Sequence, residues 1–139
     1  ATVKHFALNN KETDRKHSDS RVSERAAREI YLKAFEYVIK GAKPWAVMSS
    51  YNIINGCYAS ENKELLEDIL RDEWGFDGMV TTDWWTLGEH YKEVKAGNDM
   101  KMACGDPKRL KEAMDQGLLT RQDLEHCAER VLNLILKLD

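Results

Sequence analysis

The sequence predicts an α/β fold of parallel βα repeats, with about four strands and five helices. Two observations carry this expectation. Short apolar segments of strand length alternate with longer segments in which apolar residues recur at helical spacing. Strands that alternate with helices in this way run parallel, joined by right-handed crossovers. The totals agree: 139 residues, 42% hydrophobic and 32% charged, suit one ordinary folded domain.

The first strand is expected over residues 2–7 (TVKHFA), the second over 46–51 (AVMSSY) and the third over 79–82 (MVTT). A weaker fourth covers 98–102 (NDMKM). The middle two read as buried on both faces. Between the first two strands, Val22, Ala26, Ile30, Ala34 and Val38 recur at helical spacing, with Ala27, Tyr31 and Phe35 alongside. They predict a helix over 21–40, capped by Ser20 and ended by Gly41. Glu24 and Arg28 are spaced to pair on its surface. A second helix is expected over 61–72, with Ser60 as cap and Leu65, Leu66, Ile69 and Leu70 facing inward. A third, short one covers 87–95. Asp106-Pro107 opens a fourth, since proline at the first helical position loses no hydrogen bond, and Gly117 ends it. Thr120 to Asp123 reads as a capping box with Asp in place of Glu. Behind it Leu124, Cys127, Ala128, Val131, Leu134, Ile135 and Leu138 continue at helical spacing. There is no internal repeat, low-complexity stretch or linker. Four strands are too few to close an eight-stranded barrel; they suit half of one, or a small open sheet with helices on both faces.

The charge balance, 21 basic against 24 acidic residues and a net charge of -3, gives no reason to expect nucleic acid or an anionic membrane as partner. No apolar run is long enough to span a bilayer. Cys57, Cys104 and Cys127 are odd in number, widely spaced and without a CxxC, so free thiols are expected, with neither zinc nor a disulfide framework. Free thiols fit a reducing compartment, and a cytoplasmic location is expected over a secreted one. His17, His90 and His126 have no ligand-like spacing, so no metal is expected. The chain opens on what reads as a strand, without an initiator methionine, so its natural start is expected upstream.

In parallel α/β proteins, ligands bind at the carboxyl ends of the strands. Lys4, His5, Asn9, Asn10, Glu12 and Arg15 lie at or after the first such end. Met48, Ser49, Ser50, Tyr51 and Asn52 lie at the second, and Asp83, Trp84 and Trp85 at the third. Each has an ordinary reading. Asp83 suits a turn or helix cap, the tryptophans suit packing anchors, His5 suits a hydrogen-bonded core position, Met48 suits packing, and Tyr51 suits a half-buried hydroxyl with a backbone partner. Together they form a set suited to a sugar. Charged side chains bind neighbouring hydroxyls, an indole lies flat on the C–H face of a pyranose, and a carboxylate among cations stays ionised, as a nucleophile must.

The segments KHFALNNKETDR, VSERAAREIYLKAF, PWAVMSSYNIINGCYASEN, LLEDILRDEWGFDGMVTTDWW and AGNDMKM together resemble glycoside hydrolase family 3, of the β-glucosidase type. The resemblance runs from Val3 to the last helix. It implies that residues 1–139 are a single segment, the second half of a TIM-type (β/α)8 barrel, strands five to eight. It also implies a retaining, exo-acting β-glucosidase with Asp83 as nucleophile, Trp84 bordering the sugar, and Lys4, His5, Arg15, Tyr51 and Met48 around the −1 subsite. Lys11 departs from the family's Asn-x-Gln-Glu pattern, and Asp99 falls in a motif expected to be structural.

The implied substrate is a β-glucoside or oligosaccharide, with no cofactor. The sugar-binding acid and arginine of the first half and the general acid/base of a later domain lie outside these residues, so the chain alone is expected to be inactive. It is expected to associate with the remaining half of the barrel and the acid/base domain, or with itself. Other readings are a β-xylosidase or β-N-acetylglucosaminidase of the same family, or a non-catalytic carbohydrate-binding or structural fragment. KHFALNNKE lacks the proline- or glycine-rich loop usual in the hexosaminidase branch.

Overall fold

A computed structural model describes residues 1–138. Its elements are β1 (Thr2–Phe6), β2 (Asp19–Ser20), a helical run α1 (24–42), β3 (Ala46–Ser49), β4 (Ile53–Ile54), β5 (Cys57–Tyr58), α2 (Glu64–Glu73), β6 (Met79–Thr81), α3 (His90–Lys95), α4 (Pro107–Asp115) and α5 (Arg121–Leu136). The main sheet has the order β1-β3-β6 and is wholly parallel, with Val3 beside Val47 and Val47 beside Val80. Helices connect its strands, as the alternation predicts. Phe6, Val47 and Val80 on these strands are fully buried and pack with Leu32, Leu66, Leu70, Trp74 and Phe76.

The strand count differs from the expected four: among the described residues there are six strands in two sheets. The second sheet, β2-β4-β5, pairs β2 with β4 in parallel and β4 with β5 antiparallel. Its hairpin turns on Asn55 and Gly56, both at positive φ (50° and 90°). Asn-Gly between apolar pairs is the standard signature of a tight hairpin, and it was available in the sequence. The fourth expected strand, 98–102, is reduced to one parallel bridge between Thr81 and Met100. Beside that bridge the Asp99 Oδ2 accepts the Val80 amide at 2.7 Å, so a side chain takes a donor that a continuing ladder would use.

The helices keep their places but shift in detail. In α1 the α-helical start Glu24–Ala26 passes into a π-wound segment, Ala27–Tyr31, before the α-helix Lys33–Ala42. The Leu32 amide reaches back five residues to Ala27 O at 2.8 Å. One extra residue in the turn rotates everything beyond it. Leu32 and Ile39 are therefore buried, while Ile30 and Val38 of the expected stripe are exposed. Ser20 does not cap this helix: it is used by β2 and its hydroxyl donates to Leu8 O, so Ser23 caps instead, accepting from the Ala26 amide. The helix runs past Gly41 and ends on Lys43 in the left-handed region (φ 45°), ahead of Pro44, which disfavours a helical residue before it.

The helix α2 is π-wound over its whole length, yet its four expected leucine and isoleucine positions are all buried; Asn62 caps the Leu65 amide while Ser60 turns to Glu93. The third helix begins at His90 instead of 87. The Asp106 cap with Pro107 and the Thr120–Asp123 capping box form as expected. The three cysteines are free, and burial pushes the Cys127 thiol up to about 12.

Asp99 ties the layers together. Its fully buried carboxylate lies 2.8 Å from Arg71 of α2 and 3.2 Å from Arg130 of α5, which also pairs with Glu67 at 3.0 Å. Burial raises the Asp99 carboxyl above its ordinary range, opposed by Arg71, the Val80 amide and Arg130. Gly97, at φ 101°, brings the backbone against Glu67 where a Cβ would collide with its carboxylate. Asp99→Ala takes from the buried Arg71 guanidinium its closest carboxylate and leaves Glu67, 3.6 Å away and shared with Arg130, as the anion facing both arginines. It is expected to lower the unfolding free energy by about 3–5 kcal/mol in a denaturant titration. A loss below about 1 kcal/mol, the scale of an exposed ion pair, would contradict this role.

Candidate active site

Asp83 follows directly on β6 and Thr82, and is 7% exposed. No helix starts there, so it is not a cap. Its Oδ1 accepts the amide of the next residue, Trp84, at 2.7 Å, which fixes the plane of the carboxylate. Its Oδ2 faces His5 Nε2 of β1 at 3.5 Å. The parallel pairing of β1 and β6 on either side of β3 brings these two residues, far apart in sequence, to the same strand ends.

Tyr51, buried just beyond β3, donates its hydroxyl to Trp84 O at 2.6 Å. Burial, and then the neighbouring Asp83 carboxylate, raises the Tyr51 phenol above its ordinary range, so it remains a donor at neutral pH. Arg15 and Lys16 both stack on the Tyr51 ring, at 4.5 and 4.9 Å from its centre, which brings cationic charge to the mouth of the site. Lys16 also donates to Trp85 O at 3.0 Å. Met48 is buried at the end of β3, and Trp84 is partly exposed beside Asp83. Lys4 is exposed on β1 and makes no ion pair among the described residues.

The structure thus brings Asp83, His5, Tyr51, Trp84 and Arg15 together; Met48 is buried on β3 in register with Thr81, and Lys4 is on β1 with no ion pair to Asp83. Lys16 was not among the residues expected from the sequence. Nothing marks it there except its place after Arg15. Trp85 is 64% exposed at φ 52°, with its amide donating to Met102 O at 3.0 Å. Such a conformation is unusual for a bulky side chain and is held here by bonds on both sides of the residue.

A carboxylate, an imidazole, a phenol and an indole gather at the C-terminal ends of parallel strands, the end at which α/β proteins of the barrel class carry their ligands. The chain belongs to glycosyl hydrolase family 3: residues 1–134 match the model described as the family's N terminal domain. It is 63% identical over 125 residues to "Beta-glucosidase A" of Butyrivibrio fibrisolvens, covering 90% of this chain and 15% of that protein. It is 44% identical over 137 residues to an "Exo-alpha-(1->6)-L-arabinopyranosidase" of Bifidobacterium longum, covering 98% of this chain and 18% of the relative. The structure of β-glucosidase 3B from Thermotoga neapolitana in complex with glucose superposes with a TM-score of 0.92 at 42% identity, over 97% of this chain and 20% of that one. The chain therefore spans less than a fifth of the length of these two curated relatives.

His90 borders the loop after Asp83. Its Nδ1 accepts the Asp106 amide at 3.0 Å, a bond that only the neutral ring can accept. Burial and then Lys101 lower its pKa below the ordinary 6.5, outweighing the opposite effects of Glu93 and Asp106. The folded state therefore binds its proton less well than the unfolded state does. The stability this supplies is complete above about pH 6.5 and lost as pH falls through the lowered folded value. The melting temperature of the wild type is expected to fall more steeply between pH 7 and pH 5 than that of His90→Gln, whose amide oxygen can still accept. Parallel pH profiles would contradict this.

Proposed function

We propose that the protein carrying this segment is a retaining, exo-acting β-glucosidase that removes terminal β-D-glucosyl residues through a covalent intermediate on Asp83. The observation that carries the reading is the Asp83 carboxylate, buried at a strand end with one oxygen held by the Trp84 amide and the other turned to His5. In this reading the free face of the carboxylate attacks the anomeric carbon. Lys4, His5, Arg15 and Tyr51 hold the sugar, Met48 closes the wall, and Trp84 lies along the ring. Trp84 carries the Tyr51 hydrogen bond on its carbonyl and the Asp83 bond on its amide, so the nucleophile and the wall move as one unit.

A second carboxyl group, about 5–5.5 Å from the first, protonates the leaving oxygen and then activates water. We assign it, and the rest of the sugar pocket, to parts of the protein outside these 139 residues. The other half of the barrel and the acid/base domain are then the segment's partners, with self-association as the alternative. The high identity to a protein named β-glucosidase favours glucose as the sugar. The 44% identity to an arabinopyranosidase supports a second reading, an α-L-arabinopyranoside substrate, a pyranoside without the C6 hydroxymethyl group. No observation favours a xylosidase, a hexosaminidase or a non-catalytic fragment.

The test is mass spectrometry of the full-length natural protein incubated with 2-deoxy-2-fluoro-β-D-glucosyl fluoride. This probe carries its own leaving group and needs no acid assistance. The expected result is one added fluoroglucosyl group on a peptide containing Asp83, absent in Asp83→Ala. Aryl β-glucoside turnover in that variant should fall by at least about a thousandfold. Binding of the sugar with no adduct would instead support a binding protein.

A further inference from the structure

Glu93 of α3 is 1% exposed, although it is an acid on a short helix. A carboxylate so buried is costly unless it is both paired and fully hydrogen-bonded. Here its Oε2 meets Lys101 Nζ, and its Oε1 accepts from Ser60 Oγ at 2.9 Å and Thr86 Oγ1 at 2.6 Å. Lys101 donates in turn to Thr86 Oγ1 at 3.0 Å and to Gly88 O at 3.4 Å. Gly88 lies so close that a Cβ added there would sit 2.7 Å from Glu93 Oε1. A pair that only stabilised the core would direct its bonds to core elements. Here three of the bonds end on a loop with almost no apolar burial of its own.

That loop carries the site. Thr86 is three residues beyond Asp83, and Trp84 and Trp85 lie between them. Lys101 directly precedes Met102, whose carbonyl accepts the Trp85 amide and whose amide donates to Thr82 Oγ1. The chain leaving Asp83 is thus held on one side by the backbone at Met102 and on the other by the Glu93–Lys101 pair. We propose that Glu93 and Lys101 are positioning residues: by clamping Thr86 and Gly88 they set the direction in which the chain leaves Asp83, and with it the aim of the carboxylate and of the indole beside it. This rests on the reading of Asp83 as the nucleophile.

Thr86→Val in the full-length natural protein removes the hydroxyl that the clamp grips and keeps the side chain's shape. The expected result is a fall in kcat of about tenfold or more with a smaller rise in KM, because the reacting carboxylate is misaimed together with only one of the sugar contacts, the Trp84 indole. Deuterium exchange in a peptide spanning residues 83–88 should accelerate, and Thr86→Ser, which restores the hydroxyl, should recover both. Thr86→Val with wild-type kcat and wild-type exchange would overturn the proposal. So would a loss of kcat that follows a lowered melting temperature while exchange at 83–88 stays unchanged, since that is a purely structural role. If the wild type neither turns over a β-glucoside nor forms the fluoroglucosyl adduct, the functional reading fails by itself. The exchange measurement then decides separately whether the clamp exists.

Discussion

The carboxylate of Asp99 is the point at which this structure is joined. It accepts from the backbone of β6, from Arg71 of α2 and from Arg130 of α5, so one side chain links the sheet to the helices on its face. Two arginines in one buried place repel each other and lose hydration; the carboxylate between them offsets both. The fourth strand stops after a single bridge beside it, and Asn98 is buried. There Asn98 accepts from Ser49 on β3 at 3.0 Å and donates to Ser60 O. Two residues beyond Asp99, Lys101 meets Glu93 of α3. The ends of two strands and the loop beyond β6 are therefore arranged by a polar network under the site, with the apolar core farther in.

At the site, much of the organisation uses backbone atoms. Asp83 is held by an amide, Tyr51 by a carbonyl, and Lys16 by the carbonyl of Trp85. Main-chain groups make such a site stiff, because moving any one of these side chains disturbs the path of the loop that carries the others. Of the two cations stacked on the Tyr51 ring, Arg15 is paired with Glu12 at 2.9 Å and Lys16 donates to the Trp85 carbonyl.

Legibility in the sequence follows the range of the forces involved. The caps at Asp106 and Thr120 and the inward face of α2 are decided within a few residues of chain, and they are found as read. The Asn55-Gly56 hairpin is equally local, and its strands are only two residues each, too short to show an alternation of their own. The face of α1 was misread for another reason. Its π-wound turn is invisible to a periodicity count: Ile30 within that turn is exposed, Leu32 just after it is buried, and one added residue puts Ile39 at the core in place of Val38. Of the site residues, Asp83, His5 and Tyr51 were legible as polar groups at the ends of apolar strands. Lys16, Glu93 and Lys101 were not, since each acquires its role only from partners distant in the chain.

By itself, the sequence determined the alternation of strands and helices, the parallel sheet that follows from it, and the strand ends at which polar residues collect. These depend on hydrophobic period and on capping groups close in the chain. Tertiary structure alone decided which of those residues meet: that Asp83 faces His5, that Asp99 lies between two arginines, and that Glu93 is buried against Lys101 and the loop of Thr86. The physical reason is that a buried charge is tolerated only where several distant segments bring it partners at once, and no local pattern records that meeting.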